Sequence, residues 1–334
     1  MNGVTPRLQD LLEQCNQRLK DKYNIQDVCG KEKLREEIAR EIGEFKTLNK
    51  LCSDRLKEFT LNRPMVGVDG SVNIVGKLYP HYIVLLQGLA KSTFKGEAGV
   101  FEYEILSPLI DEDEESISQL AIEEKISRQE AATKLKASLM AQLEVKVAIE
   151  SIKRWKPTLV MMDGSLIRYK NEAEKEWDDL VELALREKVL LVGVIEEIGT
   201  HLLRDELEDE LPITMEKMYD RELLFGIFKQ GEMLEVDEGI DFKPQIQTAF
   251  LRTSKDPAPI GIDMLRKQRE ELDFVADLVY TLTPDEGRGI PLWLDIVDEE
   301  VRISHKQMNL LIDNYFDREL KQRLFHSKRL DRIY

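Results

Sequence analysis

Apolar residues recur at helical spacing through the first sixty positions, at Leu8, Leu12 and Leu19 and then at Leu34, Ile38, Ile42 and Phe45, set among many charges. That pattern predicts two or three helices. From Met65 the texture changes to apolar runs bounded by Gly, Pro or Lys: MVGVDGSVNIVGKL, then HYIVLLQGLAKSTF, then GVFEYEILSPLI. Three such runs with short links predict an antiparallel meander. An acidic linker leads from there into one long helix, predicted over roughly 117–155, rich in Ala, Leu, Lys and Glu and stopped by Pro157. TLVMMDGSL then reads as a strand, NEAEKEWDDLVELALREK as a helix and VLLVGVIEEI as a strand. Strand-helix-strand order predicts a parallel crossover, so the sheet is mixed. Residues 201–240 read as helical and peripheral, QIQTAFLRT and PIGIDML as strands, and REELDFVADLVYTL as a helix. From Asp298 to about Leu324 the chain reads as helical again, ahead of the basic tail HSKRLDRIY.

Composition narrows the class. With 334 residues and no Pro/Gly/Ser-rich divider, the chain reads as one elaborated domain with helical additions: an N-terminal extension over 1–60, a central domain over 61–310, and a C-terminal helix with its tail over 311–334. Apolar residues at 42% and charged residues at 34% give a soluble globular balance, and no run of about 18 apolar residues is present to span a membrane. The start MNGVTPRLQDLLEQ lacks a basic then apolar leader, which predicts a cytoplasmic location. Cys15, Cys29 and Cys52 are too few and too irregular for a zinc site or a disulfide framework, and they fit a reducing compartment. A net charge of −16 argues against a free-standing duplex binder, which needs a basic surface. It leaves room for a locally basic channel, because runs such as DEDEES (111–116) and RDELEDEL (204–211) read as solvated surface.

Against this background two short segments stand out, because MVGVDGSV and LVMMDGSLI each set Asp-Gly-Ser behind an apolar strand. A carboxylate at the end of a buried strand is costly unless something pairs with it, and a metal ion is one such partner. Asp-Gly is also a common hairpin corner, so Asp69 alone is open to a solvated reading. Asp163 is sharper. Four of the five residues before it are apolar, as in a strand buried on both faces, and its carboxylate is predicted at the carboxyl end of the sheet, where α/β sites lie. A third acid comes from the helix leading into that strand. Ala141, Val145, Ala148 and Ile152 define its buried stripe, Glu144 borders the stripe, and Glu150 falls on the water side with Lys146 and Lys153. Asp69, Glu144 and Asp163 together form a hard-oxygen set suited to magnesium or manganese rather than zinc. Two such ions can activate a water and stabilise the leaving oxygen in phosphodiester cleavage.

These residues resemble a known family. A first VDGS strand, a helix glutamate nineteen residues before the aspartate of a second strand ending in DGSL, and a late segment IPLWLDIVDEEVRI are together similar to the NurA nuclease domain, over about residues 60 to 310. The resemblance implies an α/β, RNase H-like mixed sheet flanked by helices, with the helical N-terminal extension added, and a homodimer enclosing a DNA channel. It implies manganese-dependent (or magnesium-dependent) cleavage of DNA, as a 5′-to-3′ exonuclease and single-strand endonuclease acting on single strands and duplex ends. It also implies a role in double-strand-break end processing with the hexameric ATPase HerA. Asp69, Glu144 and Asp163 match the family's three metal-binding acids. Where the family pattern has a histidine after a Pro-containing strand the chain has Asp298, a candidate fourth ligand, with His305 as the competing candidate. Where relatives carry a lysine, VLLVGVIEEIGT has Glu196.

For DNA contact the basic residues near the motifs are Lys77, Arg168, Lys170, Arg252 and Arg302, each of a kind more often found as ordinary surface charge, and Tyr169 could stack on a base, although a partly buried tyrosine is the commoner outcome. Ser71 and Ser165 read as residues that orient the aspartates or cap a following segment, since no histidine base stands beside them. Two rival readings remain. An actin-like ATPase shares the strand with Asp-Gly but needs further Gly-rich loops, and among 18 glycines the chain has no GxGxxG or GxxxxGK[ST]. A catalytically inactive scaffold that recruits a HerA-type motor would keep the fold without the chemistry.

Overall fold

The structure is a computed structural model that describes residues 5–23, 30–207, 218–240 and 242–325. Cys29, the tail from His326 and the second half of the acidic run 204–211 lie outside the described residues. The strands are β1 (Gly43–Thr47), β2 (Met65–Leu78), β3 (His81–Ser92), β4 (Val100–Leu106), β5 (Leu159–Asp163), β6 (Leu190–Ile195), β7 (Glu232–Val236), β8 (Ile246–Arg252) and β9 (Ile260–Leu265). The chain forms two compact units, one of Met1–Lys50, Ile195–Ile262 and Asp273–Ile290, the other of Leu51–Val194, Asp263–Leu272 and Pro291–Tyr334.

The first unit holds β1, β7, β8 and the opening residues of β9, in that order, with β1 antiparallel to β7 and β7 antiparallel to β8. Two of these strands differ from the sequence expectation. Phe45 lies in β1, where the helical pattern of the first sixty residues was continued, and residues 232–236 form β7 inside a stretch read as helical. Both are only five residues long, β1 with Glu44 and Lys46 and β7 with Glu232 and Glu235, so neither presents a long apolar run. Lys46 of β1 answers Glu235 of β7 and also reaches Asp273 at 3.1 Å. Leu34, Ile38 and Ile42 meet Leu234, Val236 and Phe250 in this unit's core.

The second unit is an RNase H-like mixed sheet flanked by helices. β2, β3 and β4 form the predicted antiparallel meander, β5 returns parallel to β2, and β6 is parallel to β5. The strand order is β6-β5-β2-β3-β4, with the later residues of β9 beside β6. Helix Arg128–Trp155 covers one face, where Met140 and Leu143 pack on Val84, Leu86 and Leu106. Helix Leu292–Val301 covers the other, where Val297 and Val301 pack on Leu89. The single helix expected over 117–155 is two helices, Asp111–Glu124 and Arg128–Trp155. Lys125 in the left-handed conformation ends the first, and a capping box of Ser127 and Glu130 starts the second. The acidic linker belongs to the first of these helices: Asp111, Glu112, Asp113 and Glu114 fill its opening turn, where the helix dipole favours negative charge. Among the described residues no helix is long and apolar enough to cross a membrane, and Cys15 and Cys52 are free and exposed.

A carboxylate cluster at the end of the parallel strands

The two aspartates are brought together by register. β2 and β5 pair from Met65 opposite Leu159 to Val68 opposite Met162, so Asp69 and Asp163 occupy the next position on adjacent strands, which run about 4.8 Å apart. β5 stops there. β2 does not: Asp69, Gly70 and Ser71 pair onward with Leu89, Gly88 and Gln87 of β3. The hairpin-corner reading left open at Asp69 is therefore excluded. The antiparallel ladder with β3 carries β2 through the tripeptide, and only the parallel pairing ends. At Asp163 the turn is real, and Gly164 takes φ +122, a conformation that L side chains rarely adopt.

Glu144 reaches the same place from helix Arg128–Trp155. It is 2% exposed, whereas Glu150 and Lys146 are exposed. Its approach depends on Gly70, since a Cβ at that position would stand 2.6 Å from Glu144 Oε1 and would also collide with Met140 Sδ. Burial and then the charges of Asp163, Glu144 and Asp298 push the Asp69 carboxyl up to about 8, against the partial relief of Gly70 N donating to Asp69 Oδ1 at 2.6 Å. Burial likewise raises Glu144 to about 7, although the Arg168 guanidinium pulls it back. Arg168 donates to Glu144 Oε2, lies over the Tyr169 ring and has Glu172 at 3.9 Å. Asp298, on helix Leu292–Val301, pairs with Arg302 at 2.6 Å. It sits in a helix, whereas the family pattern places its histidine after a strand. His305 opens the next helix and is exposed. Of the two candidates for the fourth position, Asp298 is the one whose charge acts on Asp69.

The donor set, four carboxylates of which Asp69 and Glu144 are buried, is of the hard-oxygen kind that suits a divalent cation. As placed, among the described residues, no three acidic, histidine or cysteine side chains already form a cation cage. The chain's own cations, Arg168 and Arg302, hold two of the four acids.

Behind the acids lies a layer of neutral and charged support. Tyr169 is fully buried and its hydroxyl donates to Asp163 O at 2.9 Å, so the stacking role for this ring is excluded by its burial. Ser165 donates to Asp263 Oδ2 at 2.5 Å, and Leu166 N donates to the same oxygen at 3.0 Å. Ser71 Oγ and Gln87 Nε2 both donate to Val301 O, at 2.7 and 2.9 Å, satisfying a carbonyl at the end of the helix that carries Asp298. Sequence reasoning missed Asp263 and Gln87. For Asp263 a signal existed: an acid inside PIGIDML, where every other residue of the strand is buried and all but Gly261 are apolar. Arg252, by contrast, belongs to the first unit, where its guanidinium donates to the carbonyls of Phe228, Lys255 and Asp256. Glu196 follows β6 and accepts from Arg288 at 2.9 Å. Lys77 is exposed near the far end of β2.

The fold is thus a mixed sheet flanked by helices, with carboxylates gathered where the parallel pairing of β2 and β5 ends. The chain belongs to the NurA family of nucleases: the family model described as the NurA domain matches residues 63–303, which include all four acids. Among solved structures, endonuclease V of Bacillus subtilis is similar at 14% identity over 84% of this chain and 92% of that one, with a TM-score of 0.41. Human endonuclease V is similar at 13% identity over 81% and 95%, with a TM-score of 0.38. Endonuclease V of Ciona intestinalis, solved with an inosine-containing 24mer DNA, is similar at 12% identity over 90% and 99%, with a TM-score of 0.34. No curated protein matches the sequence.

Proposed function

We propose that the chain is a divalent-cation-dependent deoxyribonuclease in which Asp69, Glu144, Asp163 and Asp298 hold Mn²⁺ or Mg²⁺. The observation that supports this reading is the mutual electrostatic strain of the cluster, with Asp69 pushed up to about 8 by burial and by three neighbouring carboxylates. A bound divalent cation relieves that strain and, when present, supplies Lewis-acid stabilisation and water activation for phosphodiester hydrolysis. The chain's residues do the positioning. Strand register sets Asp69 beside Asp163, Gly70 admits Glu144, and Arg168 pairs with Glu144.

The substrates in this reading are single-stranded DNA and duplex ends, cut as a 5′-to-3′ exonuclease and as a single-strand endonuclease during double-strand-break end processing in the cytoplasm. The chain works as a homodimer and with a HerA-type hexameric ATPase, both carried over from the family resemblance. The test is degradation of end-labelled single- and double-stranded DNA with Mn²⁺, Mg²⁺ or EDTA, alongside Asp163→Asn. Cleavage that needs metal and disappears in the variant is the expected result. Absence of cleavage with either metal, with a HerA-type ATPase and ATP added, refutes the nuclease assignment and favours a scaffold.

A further inference from the structure

Asp263 lies in the middle of β9 with no exposure, flanked by Ile260, Ile262, Met264 and Leu265, all of them buried. A carboxylate in such a setting is unfavourable unless it accepts hydrogen bonds, and an apolar residue would serve the strand at least as well. Two of the donors it accepts from, Ser165 Oγ and Leu166 N, come from a segment 97 and 98 residues earlier in the chain, immediately behind Asp163.

What that segment does with its own residues makes the arrangement informative. Ser165 is the N-cap of helix Leu166–Glu172, and a serine there ordinarily accepts a hydrogen bond from the first turn through its own side chain. Here it makes no such bond. Its hydroxyl is donated to Asp263, and Asp263 takes over the acceptor role at Leu166 N. The local cap is replaced by one built from another strand, so the helix start is fixed relative to the sheet.

The same helix then reaches two of the four acids, Asp163 and Glu144. Tyr169, one turn on, donates back to Asp163 O at 2.9 Å, and Gly164 N donates to Val194 O at 2.8 Å. Arg168, on that turn, donates to Glu144. The peptide carrying the Asp163 carboxylate is thus tied to β6, to Tyr169 and, through Ser165 and Leu166, to β9.

We propose that Asp263 is a positioning residue for the acid cluster, fixing the second Asp-Gly-Ser turn so that Asp163 and, through Arg168, Glu144 are held for cation binding. This rests on the nuclease reading above for its consequence in activity, but not for its consequence in the turn. Side chains that orient metal ligands from behind commonly change metal affinity or activity by about 10–100-fold when removed. Both of these hydrogen bonds fall on one oxygen, Oδ2, an acceptor that an amide in the same place can supply.

The experiment compares the full chain with Asp263→Ala, Asp263→Asn and Ser165→Ala. It reads calorimetric Mn²⁺ binding, kcat and KM on end-labelled single-stranded DNA, and hydrogen–deuterium exchange of the peptide spanning 159–172. Asp263→Ala is expected to speed exchange at 163–170, to weaken Mn²⁺ binding and lower kcat by about 10–100-fold, and to leave KM for DNA nearly unchanged. Asp263→Asn is expected to restore most of each loss. The proposal is overturned by an Ala variant whose folded fraction binds Mn²⁺ and cuts like the wild type, and equally by an Asn variant as impaired as Ala. Should Asp263→Ala not fold, Ser165→Ala carries the test, and unchanged exchange and Mn²⁺ affinity there overturn it. If the wild type neither binds Mn²⁺ nor cuts DNA, the nuclease reading fails by itself. Exchange at 163–170 in the Asp263 variants then still decides whether this residue holds the turn.

Discussion

Asp69-Gly70-Ser71 and Asp163-Gly164-Ser165 share three residues and almost nothing of their backbone setting. In the first, the tripeptide lies inside a continuous strand paired with β3, and glycine leaves room for Met140 Sδ and Glu144 Oε1, which close on the position a Cβ would fill. In the second, the strand ends, and glycine is required because φ is +122. The serines diverge in the same way. Ser71 ties the sheet to the end of helix Leu292–Val301, while Ser165 is given to a buried carboxylate on β9. Only the aspartates play matching parts, side by side where the parallel pairing of β2 and β5 stops. The lesson is that a repeated motif can be convergent in one residue alone, with the other two chosen by unrelated local constraints.

Exchanging the aspartates tests whether that one shared role is real. Asp69→Asn and Asp163→Asn are each expected to lower kcat by roughly a hundred- to a thousandfold, the usual scale for losing one electrostatic partner of a transition state. The two losses should be far from additive in the double variant, since either acid alone cannot hold the cation. Additive losses, read from cleavage rates of end-labelled DNA, would mean that the two sites act separately.

The glycines should separate the two motifs. Gly70→Ala forces an overpacked contact, costing about 1–3 kcal/mol, and Gly164→Ala forces a backbone outlier, costing about 1–3 kcal/mol. The causes differ, so the rescues differ. Reshaping the nearest offending side chain with Met140→Leu should recover part of the stability lost in Gly70→Ala and none of that lost in Gly164→Ala. A denaturant-melt cycle of the four variants measures this coupling, and equal rescue of both would show that the crowding at Gly70 is not the constraint.

Much of this was legible beforehand because it is written in periodicity. The meander, the crossover and the stripe that turned Glu144 toward the sheet follow from apolar runs and from the spacing of Ala141, Val145 and Ala148. The short strands β1 and β7 were not legible, since five residues that include two charged ones carry too little pattern to distinguish from helix. The continuation of β2 through Gly70 is contained in the run MVGVDGSVNIVGKL, but a local rule competes with it there. Asp-Gly is a turn signal in local terms, and it is the ladder to β3, a tertiary fact, that overrides it. Asp263 and Gln87 show the limit most plainly, because their partners lie 97 and 214 residues away and no local rule names them.

The raised carboxyls predict a pH dependence with a definite sign. For an acid whose folded pKa lies above its unfolded value, the stabilising contribution is present below the unfolded pKa and is lost as pH rises through the folded one. Asp69 moves from an ordinary 3.8 to about 8 and Glu144 from 4.5 to about 7, so in EDTA the chain should lose stability from these groups between pH 4 and 8. Asp69→Asn should flatten part of that slope. Saturating Mn²⁺ should flatten it in the wild type, because cation binding displaces the protons. A melting temperature in EDTA whose pH dependence is identical in wild type and Asp69→Asn would contradict the electrostatic strain at this end of the comparison.

The smallest expected effect belongs to Ser71. Its hydroxyl is a neutral donor to Val301 O, and Gln87 Nε2 continues to satisfy that carbonyl at 2.9 Å when Ser71 is removed. Ser71→Ala should therefore cost only about 0.5–1.5 kcal/mol, the net worth of an ordinary hydrogen bond. Ser165→Ala removes a donor from a fully buried carboxylate, a class of bond worth about 1.5–3 kcal/mol. Thermal melts of the two alanine variants give the ranking directly. Because Gln87 also anchors the helix of Asp298, Ser71→Ala should leave kcat within about twofold, since a hydrogen bond lost without leaving a buried group unsatisfied changes little else. A larger catalytic loss at Ser71 than at Ser165 would reverse the asymmetry between the two motifs, placing the sensitive hinge of the cluster at helix Leu292–Val301 rather than at the turn after β5.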